Sequence, residues 1–239
     1  MSSQLPLSLS QPIRYSSATF LEHAGVQAAV TAVLTLAQQR GFALLYIMGE
    51  PRAGKTHLGV YLVGKLQHEQ QRDARLVDGA QLRRWYSEEL PQAPFHAGAV
   101  VMIDDIDLFL EGDEGRKHAG IFVDIAERLA LAEGTLVLLA SRKPEKLACS
   151  SQAKSRIEAG IHLLLGDPQD ADLDLLLDLI TKQRGLQLKE SKRSYLLRRV
   201  TRTLPALVEC VDRLEDGGDF ASPSTSYELL SGALGTPSA

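Results

Sequence analysis

The loop GEPRAGKT, residues 49–56, has the residue types and the spacing that are needed to hold a phosphate group. It matches the pattern G-x-x-x-x-G-K-[ST], and it lies between an apolar run and a helical pattern, which is the context that supports this motif. Its two glycines let the backbone turn closely around an anion, while successive N–H groups and the start of the next helix face that anion. The loop therefore predicts a P-loop, and the competing interpretation, a glycine turn with a chance lysine, leaves the flanking strand and helix unexplained.

The side chains at the end of this loop have distinct predicted roles. Lys55 is expected to reach the β- and γ-phosphates of a nucleotide, and the Thr56 hydroxyl is expected to bind Mg²⁺, a hard cation that prefers oxygen ligands. The predicted nucleotide-binding residues are Gly49, Glu50, Pro51, Arg52, Ala53, Gly54, Lys55, Thr56 and His57. The predicted cofactors are ADP or ATP together with Mg²⁺.

Polar residues follow two other apolar runs. Asp104 and Asp105 come directly after VVMI, and at the carboxyl edge of a sheet Asp104 would be a metal partner while Asp105 would orient or deprotonate an attacking water. A strand that merely ends in solvated carboxylates is the alternative. Ser141 ends the run LVLLA, where it could contact that water or the γ-phosphate, although strands also end in Ser for turn formation alone.

The elements that must position these residues alternate along the chain. Short apolar runs predict strands at residues 42–48, 74–78, 99–103, 135–140 and 161–165. Helical patterns lie at 23–39, 58–66 and 121–132. This alternation predicts an α/β fold with a mainly parallel sheet covered on both faces. After Asp167 only helical patterns occur, at 173–180, 195–200 and 204–214, so a small helical lobe is expected to follow the core.

Composition limits the classes of protein that fit. The chain is 44% hydrophobic and 23% charged, which is typical of a globular protein. A net charge of −4 argues against a surface shaped throughout to attract nucleic acid. Cys149 and Cys210 are too few for a disulfide framework and lack metal-ligand spacing. Without a signal peptide or a membrane-length apolar run, a cytoplasmic location is expected.

The first residues of the chain have a different composition from the rest. Residues 1–19 are rich in Ser, Gln and Pro and are expected to form a flexible tail, with order beginning near Phe20. The domain boundaries that we predict are 1–16 for the tail, 17–166 for the nucleotide-binding domain and 167–239 for the helical domain.

The order of these motifs resembles that of AAA+ ATPases of the DnaA family. The P-loop, IDDID, Ser141, KSRIEAGI and VTRTL follow one another as they do in that family, over residues 17–234. The resemblance implies a three-layer αβα P-loop AAA+ core followed by a small all-helical lid domain. It also implies that Arg156 is an arginine finger presented to a neighbouring subunit's nucleotide, and that Arg202 is a sensor-2 residue over the nucleotide of its own chain. A positioned guanidinium can stabilise phosphoryl charge in either way, while surface ion pairing is the alternative for both arginines.

The amino-terminal sequence QLPLSLS extends this resemblance to regulatory members of the family. Gln4, Leu5, Leu7 and Leu9 match their sliding-clamp-binding peptide, in which leucines enter an apolar groove. The resemblance implies two partners, the sliding clamp (its beta subunit) and the DnaA initiator, and hydrolysis mainly in the partner. Intrinsic ATPase activity and a homo-oligomer stay open. Because no residues remain for a helix-turn-helix domain after residue 235, sequence-specific DNA binding is not expected, and no membrane contact is expected either.

Two other functions compete with this one. The first is a helicase-loader-like ATPase that assembles on single-stranded DNA, with Lys192, Arg193, Arg198 and Arg199 contacting phosphates, although these residues also fit a solvated helical face. The second is a nucleotide-gated adaptor that recruits other proteins without affecting hydrolysis.

Overall fold

The computed structural model describes residues 15–89, 95–217, 230 and 232–234. The chain divides into two compact units, of which one is Tyr15–Gly166 and the other includes the residues from Asp167 onward. The predicted clamp-binding residues Gln4, Leu5, Leu7 and Leu9 lie outside the described residues, so that assignment stays a prediction.

A parallel β-sheet forms the middle of the first unit. Its strands are β1 Ala43–Met48, β2 Ala74–Val77, β3 Val100–Ile103, β4 Thr135–Ala140 and β5 Ile161–Leu164. Their order across the sheet is β2-β3-β4-β1-β5, and each neighbouring pair is parallel. The predicted α/β fold class is confirmed.

The register of the central strands brings three chain segments to one edge of the sheet. Met48 is paired with Ala140, and Ile103 is paired with Leu138. The carboxyl ends of β1, β3 and β4 therefore lie side by side. All six residues of β4 are buried, which is why its sequence is a continuous apolar run without alternation.

Helices cover both faces of this sheet. The helices of the first unit are α1 Ala24–Leu36, α2 Lys55–His68, α3 Gly79–Arg84, α4 Ile106–Phe109, α5 Gly112–Leu131 and α6 Ser151–Glu158. Leu45 and Ile47 pack in one apolar cluster with residues of α1 and α2, whereas Leu44 and Tyr46 pack in a second cluster with residues of α3 to α6. Successive strand residues point to opposite faces, so each strand contributes to both cores.

The segment before α1 is ordered further toward the amino terminus than we predicted. A 3₁₀ turn covers Ser17–Thr19, and the chain is described from Tyr15. We expected order to begin near Phe20, but polar groups of Ser16 and Thr19 bond to His57 and the Tyr15 ring lies against the His57 ring, so these residues pack on α2.

Three short helices of the first unit were not predicted. α3 begins with a capping box, in which Asp78 and Gln81 each bond to the other's backbone N–H, and it continues into a π-helical turn, Trp85–Glu89. α4 has only four residues, and α6 begins where the Ser150 hydroxyl accepts a hydrogen bond from the Ala153 N–H. Such caps satisfy N–H groups at helix starts without needing a long apolar period.

The second unit is helical over its described residues. Its helices are α7 Asp170–Gln183, α8 Glu190–Leu197 and α9 Leu204–Gly217. The prediction of a helix at 195–200 was wrong in its bounds, because α8 begins at Glu190 and ends at Leu197. Within the described part of the chain, no helix is both long enough and apolar enough to cross a membrane.

Candidate functional site

The P-loop connects the buried strand β1 to the start of α2. Gly54 occupies the cap position of α2 with φ +83°, in the left-handed region that favours glycine. Because glycine has no side chain, the first-turn N–H groups of α2 lack the cap acceptor that Ser or Asp would supply. Arg52 also has a left-handed backbone, with φ +67°, which is uncommon outside glycine and occurs in loops held in one conformation by their surroundings. The first N–H groups of α2, at the carboxyl edge of the sheet, are therefore left without a side-chain cap.

Lys55 places a buried positive charge at this helix start. This residue is 7% exposed, and its ammonium group donates hydrogen bonds to the Gly49 and Glu50 carbonyls, both at 3.0 Å. Burial lowers the pKa of Lys55, while Asp105, Asp104 and Asp107 oppose that shift. An ammonium group beside a helix N-terminus attracts an anion. The residues present therefore fit the phosphates of a nucleotide.

Thr56 and Asp104 are in direct contact, and their shared role at a metal stays a prediction. The Thr56 hydroxyl donates a hydrogen bond of 2.6 Å to Asp104 Oδ2, and Asp104 is 6% exposed. These two oxygen groups fit Mg²⁺ chemistry. Among the described residues, no group of three or more His, Cys, Asp or Glu side chains is arranged to hold a metal. A cation at this place would therefore share its remaining positions with phosphate and water.

Asp105 lies at the turn between β3 and α4. It has φ +48°, and its backbone N–H donates to Asp104 Oδ1 at 3.1 Å. Desolvation is the largest cause that raises the pKa of Asp105, the Asp104 charge adds to it, and Lys55 acts in the opposite direction. Asp105 therefore lies beside Asp104 at the sheet edge, and its role in orienting or deprotonating an attacking water stays a prediction.

Ser141 follows β4 and is positioned by a residue that the sequence analysis missed. Its backbone N–H donates to Asp107 Oδ2 at 3.1 Å, and Asp107 is 3% exposed. Asp107 is the third carboxylate of IDDID, and a third acidic residue in that motif was the signal that could have identified it.

His57 has contacts that differ from the phosphate contact that we predicted. Its Nε2 lies 3.0 Å from the Ser16 carbonyl oxygen and 3.2 Å from Thr19 Oγ1, and its ring centroid lies 5.2 Å from that of Phe20. Burial lowers the pKa of His57, and the hydrogen bond with Ser16 opposes that shift. The side chain therefore joins the first turn of α2 to the segment before α1.

The two predicted arginines are both in surface ion pairs. Arg156, on α6, pairs with Glu127 of α5, and the two side chains are 39% and 56% exposed. Arg202 belongs to the second unit, where it pairs with Asp170. The described contacts of Arg156 do not include any P-loop residue. Its finger role and the sensor-2 role of Arg202 both stay predictions.

Comparison with known proteins supports the fold. No protein-family model matches the chain. A curated relative, an uncharacterized protein of Haemophilus influenzae, is 28% identical over 177 residues, which is 71% of this chain and 72% of that protein. Domain III of the Thermotoga maritima replication initiation protein DnaA superposes with a TM-score of 0.67 at 18% identity, covering 95% of this chain and all of that domain. AMPPCP-bound DnaA from Aquifex aeolicus gives 0.62 at 21% identity, over 89% of this chain and 68% of that one. The chain thus has the same fold as domain III of DnaA.

Proposed function

We propose that this chain is a nucleotide-binding AAA+ regulator of replication initiation. One observation carries the nucleotide part of the proposal: the buried Lys55 ammonium and the Thr56–Asp104 contact lie together at the start of α2. The nucleotide is ADP or ATP with Mg²⁺, since Lys55 and the helix start suit phosphates and Thr56 and Asp104 suit the cation. DnaA structures with this fold hold the ATP analogue AMPPCP, which supports the same ligand class.

Within this class, we propose a regulator of the kind represented by Hda, which acts in regulatory inactivation of DnaA. The peptide Gln4, Leu5, Leu7 and Leu9 would hold the chain on the sliding clamp, and Arg156 would enter the nucleotide site of an ATP-bound DnaA initiator and stimulate hydrolysis there. The exposed position of Arg156 on α6, in a surface pair and not in a buried one, supports a role toward a partner.

The single-stranded DNA alternative has less support from the helical unit. Of the four basic residues that it requires, Arg193 is committed to ion pairs with Asp174 at 2.8 Å and Asp178 at 3.4 Å, and its side chain is 20% exposed. A guanidinium that is held by two carboxylates is a poor phosphate ligand, because those pairs must break first.

Calorimetry of the purified full chain with ADP and with AMPPCP, each with Mg²⁺, tests the nucleotide site. Binding of either ligand is expected, and absence of heat from both at millimolar concentration would reject the proposal. Capture by the sliding clamp, with and without ADP, then tests the tail. Replacing Gln4 and Leu5 by Ala is expected to abolish capture and to leave the ADP affinity unchanged.

The finger role needs a separate variant with a matched control. Arg156→Ala is expected to keep clamp capture and ADP binding and to lose stimulation of ATP hydrolysis by DnaA. Arg128→Ala is the control, since Arg128 is also in a surface ion pair, with Asp124, and has a side-chain exposure of 42% against 39% for Arg156. Full stimulation by Arg156→Ala, or equal loss in both variants, contradicts the finger role.

A further inference from the structure

Asp107 is a buried carboxylate that is only half satisfied. It lies on α4 and is 3% exposed, and its Oδ2 accepts the Ser141 N–H at 3.1 Å. Its Oδ1 is also buried and has no hydrogen-bond partner among the described residues. A buried carboxylate oxygen without a partner costs free energy, which the Ser141 hydrogen bond and the nearby Lys55 charge offset.

The turn after β4 is held to the rest of the site by several bonds. Besides the Asp107–Ser141 bond, the Tyr46 hydroxyl donates to the Arg142 carbonyl at 2.8 Å, and the Arg142 guanidinium pairs with Glu111. Tyr46 is fully buried in β1, the strand that leads into the P-loop. The Ser141 backbone is therefore held on both sides, by the bond from its own N–H to Asp107 and by the bond from Tyr46 to the carbonyl of Arg142.

The strand order places Ser141 in the middle of the sheet edge. Because β4 lies between β3 and β1, Ser141 at the end of β4 lies between the Asp104–Asp105 turn and the end of β1, while Thr56 at the far end of the P-loop contacts Asp104. Asp107 lies just after that turn, on the helix that the turn begins, and its carboxylate reaches the end of the next strand. Any shift of Ser141 along the sheet edge would have to break this bond.

We propose that Asp107 is a positioning residue that holds Ser141 toward the terminal phosphate, so that the site distinguishes a nucleoside triphosphate from a diphosphate. This inference rests on the proposed function, since it requires adenine nucleotide in the P-loop. Lys55 and the loop backbone contact the β-phosphate in ADP and ATP alike, whereas Ser141 contacts only the γ-phosphate, which ADP lacks. Loss of the Asp107 bond therefore weakens binding of the triphosphate only.

The test compares AMPPCP and ADP affinities by calorimetry in three variants of the full chain. Asp107→Leu removes the acceptor and is expected to lower AMPPCP affinity about tenfold, the worth of one positioned hydrogen bond, with ADP affinity within about twofold of the original. Asp107→Asn keeps an acceptor oxygen and is expected to restore AMPPCP affinity to within about threefold. Asp107→Ser, which is too short to reach the Ser141 N–H, replaces Asp107→Leu if that variant does not fold, with the same expected loss.

Coupling to Ser141 separates positioning from general damage. Ser141→Ala is expected to reproduce the selective loss, and the double variant with Asp107→Leu, or with Asp107→Ser, is expected to lose no more than either single variant. Asp124→Asn is the control for removing one carboxylate from the first unit and is expected to change neither affinity. Equal losses for ADP and AMPPCP, additive losses in the double variant, or an unchanged AMPPCP affinity in the acceptor-less variant overturns the role of Asp107 alone. An original protein that binds neither nucleotide overturns the proposed function itself.

Discussion

Replacing Lys55 by Met removes the buried charge of the P-loop while it keeps an unbranched side chain. Without nucleotide, the variant loses two hydrogen bonds to the Gly49 and Glu50 carbonyls, and it also avoids the cost of burying the charge of a lysine that is 7% exposed. These opposing effects are expected to leave the free energy of unfolding within about 1 kcal/mol of the original. The unliganded protein should therefore melt at nearly the same temperature.

The effect on nucleotide binding is much larger. If Lys55 gives two charge-assisted hydrogen bonds to phosphate oxygens, its loss costs about 3 kcal/mol, or about a hundredfold in Kd. ADP at a hundred times the original Kd stabilises the original protein by about 2.7 kcal/mol and Lys55→Met by about 0.4 kcal/mol. At about 2–4 °C per kcal/mol, the ADP-induced rise in Tm falls from about 5–11 °C to about 1 °C.

Thermal unfolding with and without ADP and Mg²⁺ measures this difference. Lys65→Met is the matched control, because Lys65 lies on the same helix α2 and pairs with Glu69 in an exposed (i, i+4) ion pair. It is expected to keep the full ADP-induced rise. An equal rise in Lys55→Met and in the original protein would refute the assignment of Lys55 to the phosphates.

Three further predictions concern the metal ligand, a histidine and the helical unit. Thr56→Val removes the hydroxyl that we predict to bind Mg²⁺, so calorimetry should show about tenfold weaker ADP binding with Mg²⁺ and no change when EDTA is present. Burial lowers the pKa of His57 in the folded state below 6.5, the value for an unperturbed histidine. Below about pH 7 the unfolded chain therefore binds more protons than the folded chain, so stability is lost as the pH falls through 6.5 toward the lower pKa of the folded state. Thermal unfolding from pH 7.5 to 5 should therefore show a steeper loss in the original protein than in His57→Gln, and parallel curves would contradict this explanation. Arg184→Ala removes the guanidinium that pairs with Asp212 and Glu215 of α9, and this arginine side chain is 10% exposed, so urea unfolding should show a loss of about 3–5 kcal/mol. For Arg213→Ala, whose side chain is 43% exposed, the expected loss is about 0.5 kcal/mol, and similar losses in both variants would show that burial does not set the cost.

The sheet and its carboxyl edge were predictable because parallel strands that are buried on both faces have continuous apolar sequences. β1 and β4 each follow that pattern, and polar residues at their ends indicated where ligands would meet. The P-loop was predictable for a second reason, since its chemistry depends on a short local pattern that the fold cannot rearrange.

Features that depend on long-range contacts were not predictable. The bond between Asp107 and Ser141 joins residues 34 positions apart, and neither residue shows that partner in its local sequence. The ordered segment at Tyr15 reads as polar and aperiodic, and only its contacts with His57 make it part of the core unit. α6 was missed as a helix because only Ala153 and Ile157 face the core, too few to show a helical period.

The pairing of β1 with β4 has a consequence for the order of events during folding. These neighbours lie at 43–48 and 135–140, so β1 can pair with β4 only after the intervening chain has been synthesised and the loop between the two strands has closed. Parallel contacts of such long sequence separation form slowly, because the entropy cost of closing the loop comes before the contacts contribute any favourable free energy. The phosphate-binding edge is therefore expected to assemble late in folding, with the apolar segment of β1 made early and in need of shielding until its partner strand arrives.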